Sequence, residues 1–191
     1  MPIFGTLMGF SLLLGPVPFS IGNAVPPTPA AHVAGVALGR PVTLTAYNAV
    51  PGQTDDNPFE TASGAYSNPE IVAARSQNLA DKLPFGTIIE LDGSAITSGD
   101  TCGYGMVAPL IGYRVIEDTM NARYTDRVDV LFDTGANYAD ADGGERNAAD
   151  VLGICKGVTV RVVGHVDINH LPKTQAQLAL LVGKTRNLAL K

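Results

Sequence analysis

The 191-residue sequence has no tryptophan, only two cysteines and three histidines, and few charged residues, 16% in all. The cysteines are isolated from each other and from the histidines, so no zinc-binding spacing is present. Lysine and arginine total 13 and form no basic cluster, and the net charge is −5. We therefore expect no nucleic-acid partner, and we predict neither a metal ion nor another cofactor.

No lysine or arginine occurs before Arg40, although the first 24 residues are largely apolar. Their apolar part is too short, and too rich in glycine and proline, to predict a membrane span. It resembles the apolar region of a signal peptide followed by a small-residue site, Gly22-Asn23-Ala24. We predict that residues 1–24 are a signal peptide or an N-terminal anchor, with a buried N-terminal strand as the alternative. Residues 25–39, rich in proline, alanine and glycine, are predicted to be a linker.

The two cysteines are Cys102 and Cys155. In the reducing cytosol they would be free thiols, whereas in an exported protein they would be expected to pair. The N-terminus favours export to the periplasm or cell envelope. We therefore predict a disulfide between Cys102 and Cys155.

The rest of the chain favours a β-rich, turn-rich fold, because glycine (21) and proline (13) are frequent. Several short segments have the period of two that is typical of strands. The predicted strands are 40–48, 70–76, 87–93, 113–119, 127–132 and 158–166, and the predicted helical segments are 78–83, 145–153 and 174–182. Six short strands with little helix suggest a small barrel. We expect it to span residues 40–166 and to be followed by a tail, 167–191, that contains the last helix.

Two further segments are predicted to be loops, the glycine-rich 94–112 and the acidic 133–144. Asp133, Asp140 and Asp142 in the second suggest a calcium site. Their spacing does not match an EF-hand loop, which needs glycine at its sixth position and glutamate at its twelfth. A solvated loop without metal is therefore the favoured interpretation.

Two of the predicted strands each carry an aspartate among apolar neighbours, Asp118 in the first and Asp129 in the second. Carboxylates are rarely buried without a partner, so these two are expected to be desolvated, paired or functional. If they share a cleft, their charges push their pKa values apart, and one can stay protonated near neutral pH as a general acid. The alternative is structural, with both aspartates held in salt bridges to the nearby Arg123 and Arg127 or capping turns.

Other polar residues are candidates for lining a groove. Thr45 and Tyr47 alternate with apolar residues in the first strand, so they share one face. The long loop 49–66 contains Gly64, which is predicted to adopt a positive φ. The candidate substrate-binding residues are Thr45, Tyr47, Thr61, Gly64, Asp81 and Asn121.

Five local sequences resemble one family, the bacterial 3D (three-aspartate) domain. In chain order they are LTAYN (44–48), TDDNPFETASG (54–64), LPFGT (83–87), VIEDTMNARYTDRVDVLF (115–132) and AADVLG (148–153). The resemblance covers roughly residues 40–166. It implies a mainly β fold, a six-stranded double-psi β-barrel with one or two short helices, similar to the catalytic barrel of membrane-bound lytic transglycosylase A.

Enzymes of that kind cleave the glycan strands of peptidoglycan without water and leave a 1,6-anhydroMurNAc end. In the family pattern the acid is the aspartate of the second strand, eleven residues after the first, as Asp129 is after Asp118. The resemblance thus implies that Asp129 protonates the bridging oxygen of the MurNAc–GlcNAc bond and that Asp118 sets its pKa and position. The third family aspartate precedes a Pro-x-Gly-Thr turn, where Asp81 is the nearest carboxylate here. The implied partner is peptidoglycan. We expect the protein to be a monomer that associates with the cell wall or the membrane periphery.

The sequence departs from the family pattern at Met120 and Asn121, where active relatives have two glycines that let substrate approach the backbone. This departure favours an alternative function, a non-catalytic glycan-binding or cell-wall scaffold module that uses the same groove. Hydrolysis is a third function, which requires a second carboxylate to activate water. The leading prediction is a lytic transglycosylase-like enzyme, a carbon–oxygen lyase acting on polysaccharide.

Overall fold

A computed structural model describes residues 36–38, 41–54, 57–96, 102–139 and 142–189, so the predicted signal peptide lies outside the described residues. The described strands are β1 (Val36–Ala37), β2 (Val42–Asn48), β3 (Val72–Arg75), β4 (Thr87–Asp92), β5 (Tyr113–Thr119), β6 (Arg127–Phe132), β7 (Asn137–Ala139), β8 (Glu145–Asn147) and β9 (Cys155–His165). The described helices are α1 (Tyr104–Ile111), α2 (Ala148–Leu152) and α3 (Gln175–Ala189), with 3-10 helices at Gln77–Leu79 and Ile168–His170.

The main sheet closes on itself. Six of the described strands follow the order β9-β2-β6-β3-β5-β4, and β4 pairs again with β9. The β2–β6 and β3–β5 pairs are parallel, and the other pairs in the ring are antiparallel. The predicted mainly β fold is therefore confirmed, and β5 and β6 have the predicted bounds.

The two faces of this sheet bury different apolar clusters, because successive strand residues point to opposite sides. Ala73, Ile116 and Val128 belong to the first cluster, which also contains residues of α1 and α2. Ala74 and Val115 belong to the second. Neighbouring residues of one strand thus serve separate layers.

The second cluster includes two residues of the C-terminal tail. Leu178 and Val182, one turn apart on α3, are 0% and 2% exposed. Gln175, at the start of the helix, donates from Nε2 to the carbonyl oxygens of Glu70 and Tyr113. The predicted helix in the tail is confirmed and is longer than the segment 174–182.

Helix α1 lies within the segment predicted to be a loop, so that prediction is wrong. Its Val107 and Ile111 are buried four residues apart on one helix face. The buried Arg114 donates to the carbonyl oxygens of Leu110 and Ile111, each at 2.6 Å, and thereby satisfies the end of the helix. Because this contact comes from the next strand, glycine content alone gave no sign of it. Helices α1 and α2 agree with the one or two short helices expected within residues 40–166.

Part of the predicted linker belongs to the sheet. Of residues 25–39 the structure describes 36–38, and Val36–Ala37 pairs antiparallel with β9 through Val162 and Arg161. Leu38 is 9% exposed and joins the first apolar cluster. Strand pairing and burial of Leu38 therefore outweigh the composition that favoured a linker.

Part of the acidic segment 133–144, which was predicted to be a loop, forms a strand. Asn137–Ala139 forms strand β7, which pairs with β8, while Asp140 lies outside the described residues. The helix predicted from Glu145 begins only at Ala148, because the Asn147 side chain accepts a hydrogen bond from the Ala149 amide at 3.0 Å and caps the helix.

The predicted disulfide is confirmed. Cys102 and Cys155 are bonded, with their Cα atoms 5.1 Å apart. The bond connects Cys102, two residues before the start of α1, to the first residue of β9. Because it closes a loop of 53 residues, the chain-entropy estimate of its stabilisation is about 4 kcal/mol.

Candidate functional site

A β-bulge determines which way Asp118 points. In the β3–β5 pair Ala73 is opposite Ile116, but Ala74 is opposite Asp118, so Glu117 is an extra residue in β5. A bulge of this kind redirects the side chain that follows it. Without it Glu117 would be opposite Ala74, and Asp118 would belong to the other face.

Asp129 reaches the same face from the other side of β3. It is the register partner of Ala74 in the antiparallel β3–β6 pair and of Thr45 in the parallel β2–β6 pair. Register partners point to the same face, so Thr45, Asp129, Ala74 and Asp118 form a row across four strands. The Cα atoms of the two aspartates are two strand spacings apart, about 10 Å. The residue between them in the row is Ala74, which is 3% exposed.

The Asp118 carboxylate accepts hydrogen bonds at both oxygens. The backbone amides of Ala62 and Thr119 donate to Oδ1 at 3.0 and 2.8 Å, and the Tyr47 hydroxyl donates to Oδ2 at 2.9 Å. Burial, helped by the adjacent Asp118 charge, raises the pKa of Tyr47 far above its ordinary value, so the phenol remains a donor. Asp118 is thereby fixed in position as an acceptor.

The Asp129 carboxylate accepts fewer hydrogen bonds than the Asp118 carboxylate. Burial raises the pKa of Asp129 to about 6, and the Asp118 charge acts in the same direction. The Thr45 hydroxyl, which donates to Oδ1 at 2.8 Å, and the positive charge of Arg127 act in the opposite direction. The shift agrees in direction with the expectation from the sequence, although burial, not the second carboxylate, is its first cause. A carboxyl group that titrates near pH 6 can exchange a proton under near-neutral conditions.

The salt-bridge alternative for the two aspartates is wrong within the described part of the chain. The ion pairs found there join Arg161 to Glu90 and Asp92, and His170 to Asp167. Asp118 and Asp129 instead receive their hydrogen bonds from amides and hydroxyl groups.

A tight turn brings the Ala62 amide to Asp118. The Thr61 amide donates to the Ala65 carbonyl at 2.9 Å, and the Gly64 amide donates to the Thr61 carbonyl at 2.9 Å. Gly64 has φ +83°, which confirms its predicted backbone conformation and suits glycine because it has no Cβ. Thr61 and Gly64 thus shape the loop that supplies a donor to Asp118.

Glu117, the extra residue of the bulge, accepts hydrogen bonds from the same loop. The Ser63 hydroxyl donates to Glu117 Oε2 at 2.5 Å, and the Ser63 amide donates to the Glu117 carbonyl at 3.0 Å. Glu117 is fully buried, and burial raises the pKa of its carboxyl group. Its other oxygen, Oε1, has no hydrogen-bond partner among the described residues. Glu117 therefore connects the bulge to the turn that holds Asp118.

The row opens into a cleft of about 620 Å³. Tyr47, Ala74, Asp118 and Asp129 line it, together with residues of the loop 52–67 and of the turn between β5 and β6. Two carboxylates with different hydrogen-bond partners thus face one open space, large enough for part of a carbohydrate chain. Such a site can give a proton to a bound group at Asp129 while Asp118 keeps its orientation.

The predicted substrate-binding residues divide into three groups. Tyr47 and Asn121 line the cleft. The second group does not line the cleft but positions the residues that do. The Thr45 hydroxyl donates to Asp129, and Thr61 and Gly64 form the turn described above. Asp81 is exposed in the turn after the 3-10 helix Gln77–Leu79, and its charge acts on Arg75; it is not among the residues that line the cleft.

Met120 and Asn121, the two positions that differ from the family pattern, face different ways. Met120 is 8% exposed and packs in the second apolar cluster, while Asn121 is exposed. Both line the cleft, so its volume includes the effect of these larger residues.

Three contributors to the site were not predicted: the Ala62 amide, the Glu117–Ser63 bond, and Arg123 with Tyr124 at the cleft. The only local signal was the presence of Glu117 and Arg123 in the stretch that carries both aspartates. A backbone amide has no residue-specific signature, and the bulge depends on pairing with a strand that lies 44 residues earlier, since Ala74 is opposite Asp118.

The described residues indicate neither a metal site nor a membrane-spanning helix. They contain no group of three or more histidine, cysteine, aspartate or glutamate side chains that could hold a metal ion. No helix within the described ranges is long and apolar enough to cross a membrane.

No protein-family model matches the chain, and no curated protein matches it significantly.

Proposed function

We propose that this protein is a lytic transglycosylase-like enzyme that cleaves the MurNAc–GlcNAc bonds of peptidoglycan, with Asp129 as the general acid. The observation that supports this most is Asp129 itself, whose pKa is raised to about 6 and which faces Asp118 across Ala74 in one cleft. The proposal draws on the resemblance to 3D domains and includes a double-psi arrangement of the six-stranded ring.

The chemistry needs one proton donor that can later accept a proton. Protonated Asp129 donates to the bridging oxygen as the bond from that oxygen to C1 of MurNAc breaks, which releases the GlcNAc hydroxyl. The C6 hydroxyl of MurNAc then bonds to C1 and returns its proton to the Asp129 carboxylate. No water is consumed, and the product is a 1,6-anhydroMurNAc end. The negative Asp118, fixed by its three donors, would stabilise the positive charge that develops on the sugar ring.

The proposed substrate lies outside the cytoplasm, in the periplasm or cell envelope. The disulfide between Cys102 and Cys155 supports this location, because such bonds persist in oxidising compartments. A monomer acting directly on peptidoglycan at the wall or the membrane periphery fits this setting.

Product analysis tests the proposal. Purified sacculi are incubated with the wild-type protein across pH 4–8, and the soluble fragments that it releases are examined by mass spectrometry without muramidase digestion, because a muramidase would itself produce reducing ends. The lyase reaction predicts new 1,6-anhydroMurNAc ends, which are about 18 Da lighter than the reducing ends that hydrolysis would produce. Reducing ends would replace the lyase proposal by hydrolysis, and the absence of new ends at every pH would remove both.

A non-catalytic glycan-binding or scaffold module is the second candidate. Met120 and Asn121 favour it, since both residues line the cleft at positions where active members of the 3D family, which the sequence resembles, have glycine. This function predicts sedimentation of the protein with sacculi but no new ends, and binding that is unchanged by Asp129→Asn.

A further inference from the structure

The charges along the cleft are unevenly distributed. Among its described lining residues Glu60, Asp118 and Asp129 are acidic, and Arg123 is the one cation. The chain as a whole carries a net charge of −5. Among the described lining residues, Arg123 is therefore the one whose charge attracts an anionic ligand.

The backbone that carries Arg123 is well fixed. In the turn between β5 and β6, the Arg123 amide donates to Asn121 Oδ1 at 3.1 Å, and the Tyr124 amide donates to the Asn121 carbonyl at 3.0 Å. At the end of the turn Asp126 and Asn78 exchange two hydrogen bonds, of 2.7 and 3.1 Å. The turn is thus anchored at both ends.

The Arg123 side chain is positioned by an aromatic ring. Its Nη2 donates to the Tyr124 hydroxyl at 2.9 Å, and its Cζ is 4.8 Å from the centre of the Tyr124 ring. The Cζ of Arg127 is 4.7 Å from the same ring centre. Two guanidinium groups therefore share one tyrosine, which holds both by cation–π attraction.

Neither guanidinium group has an acidic partner within the described ranges. The salt bridges found there involve Arg161 and His170, and Arg123 is an exposed side chain. An arginine presents a planar fork of N–H donors that fits a carboxylate in a bidentate manner. Arg123, which lines the cleft, is thus available to a carboxylate from outside the chain.

We propose that Arg123, with Arg127 beside it, forms a subsite for carboxylate groups and makes the cleft selective for glycans that carry acidic substituents over uncharged glycans. This inference rests on the proposed function, since it takes the ligand to be a glycan strand. In peptidoglycan the carboxylate has two sources: the lactyl group of MurNAc, which is free only where the peptide is absent, and the peptide itself. From either source, the carboxylate would reach Arg123 at the mouth of the cleft while the sugar ring lies between the aspartates.

The test measures binding without turnover. Full-length protein with Asp129→Asn is titrated calorimetrically with three oligosaccharides of equal length: chitin, peptide-free glycan from sacculi, and glycan that retains its peptides. Arg123→Gln, Arg123→Lys and the control Arg146→Gln, an exposed arginine outside the cleft, are made in the same background.

We expect Arg123→Gln to weaken binding of the carboxylate-bearing glycans by about tenfold or more, the range for a lost charge-assisted hydrogen bond. Chitin binding and the Arg146→Gln control should not change, and Arg123→Lys should recover part of the loss, because it restores charge without the fork. A loss confined to the peptide-free glycan identifies the lactyl group as the source, and a loss confined to the peptide-bearing glycan identifies the peptide.

Equal Kd values for all three glycans, with no effect of Arg123→Gln, would overturn the subsite while leaving the proposed function intact. Failure to bind any of the three would overturn the subsite as well. The proposed function would then still stand if wild-type protein released 1,6-anhydroMurNAc ends, so the two failures are distinguishable.

Discussion

The two sides of Ala74 carry the same residue type in different surroundings. On the β5 side, Asp118 accepts from two backbone amides and one phenol. On the β6 side, Asp129 accepts from one threonine hydroxyl, and burial raises its pKa to about 6. The comparison shows that two aspartates can have different roles, one as an oriented hydrogen-bond acceptor and the other as a proton donor. The difference comes from the surroundings that the fold gives each of them and not from the residue type.

The largest effect is expected from Asp129→Asn, which removes the proton donor and keeps the size of the side chain. Turnover of glycan should fall by about 100-fold or more, the scale for loss of a general acid. Release of anhydro ends, quantified by mass spectrometry, measures this change. Retained turnover would show that the proton comes from another group.

The same variant should not lose stability. The folded-state pKa of Asp129 lies above its ordinary value of 3.8, at about 6. The contribution of this carboxyl group to stability is therefore fully present below pH 4 and is lost as the pH rises through 6. Asparagine does not ionise, so at pH 7 the free energy of unfolding should be unchanged or higher, by at most about 3 kcal/mol. Urea denaturation at pH 4 and pH 7 measures the difference, and a clear loss of stability at pH 7 would favour a structural role.

Ala74→Val places two more methyl groups between the aspartates. Because a displacement of about 1 Å in a reacting group can cost 100-fold in rate, activity should fall by about tenfold or more. The matched control is Ala73→Val on the opposite face, where overpacking of the first cluster costs about 1–3 kcal/mol of stability. Activity per folded molecule should survive in the control, and an equal loss in both variants would contradict the assignment of faces.

Asp118→Asn should act on the pH profile as well as on the rate. The Asp118 charge helps to raise the pKa of Asp129, so its removal should move the fall in activity that occurs as Asp129 ionises to a lower pH. We expect activity at the optimum to drop about tenfold, because the oriented acceptor is altered. Initial rates between pH 4 and 8 measure the shift. A profile displaced upward would show that Asp118 does not act on Asp129 through its charge.

The smallest effect is expected from Asp81→Asn. Asp81 is exposed and is not among the cleft-lining residues, so activity should be unchanged and stability should alter by no more than about 0.5 kcal/mol. A loss of activity comparable with that of Asp118→Asn would restore Asp81 to the site, as the family pattern suggested.

The strands that carry the aspartates could be predicted from the sequence because their signals are local. β5 and β6 have the predicted bounds, since the run of β-branched and apolar residues is interrupted by the polar turn between them. The positive φ of Gly64 and the Cys102–Cys155 bond could also be anticipated, the first from turn chemistry and the second from the expected compartment.

Other features depend on contacts between distant parts of the chain. Helix α1 is completed by Arg114, and the bulge at Glu117 exists only in the pairing with β3. The bulge decides whether Asp118 shares a face with Asp129, so the two aspartates could be named from the sequence but their common cleft could not. The hydrogen bond from the Ala62 amide to Asp118 could not be predicted either, because the turn at Thr61 and Gly64 determines the position of this amide.

The most direct test of the account is the pKa of Asp129, measured by ¹³C NMR. The carboxyl signal is followed from pH 3 to pH 9 in wild-type protein and is assigned by its disappearance in Asp129→Asn. The account predicts a midpoint at about 6, moved to lower pH in Asp118→Asn. A midpoint at the ordinary value of 3.8, unaffected by Asp118→Asn, would contradict it, because Asp129 would then carry no proton at the pH where the reaction is proposed to run.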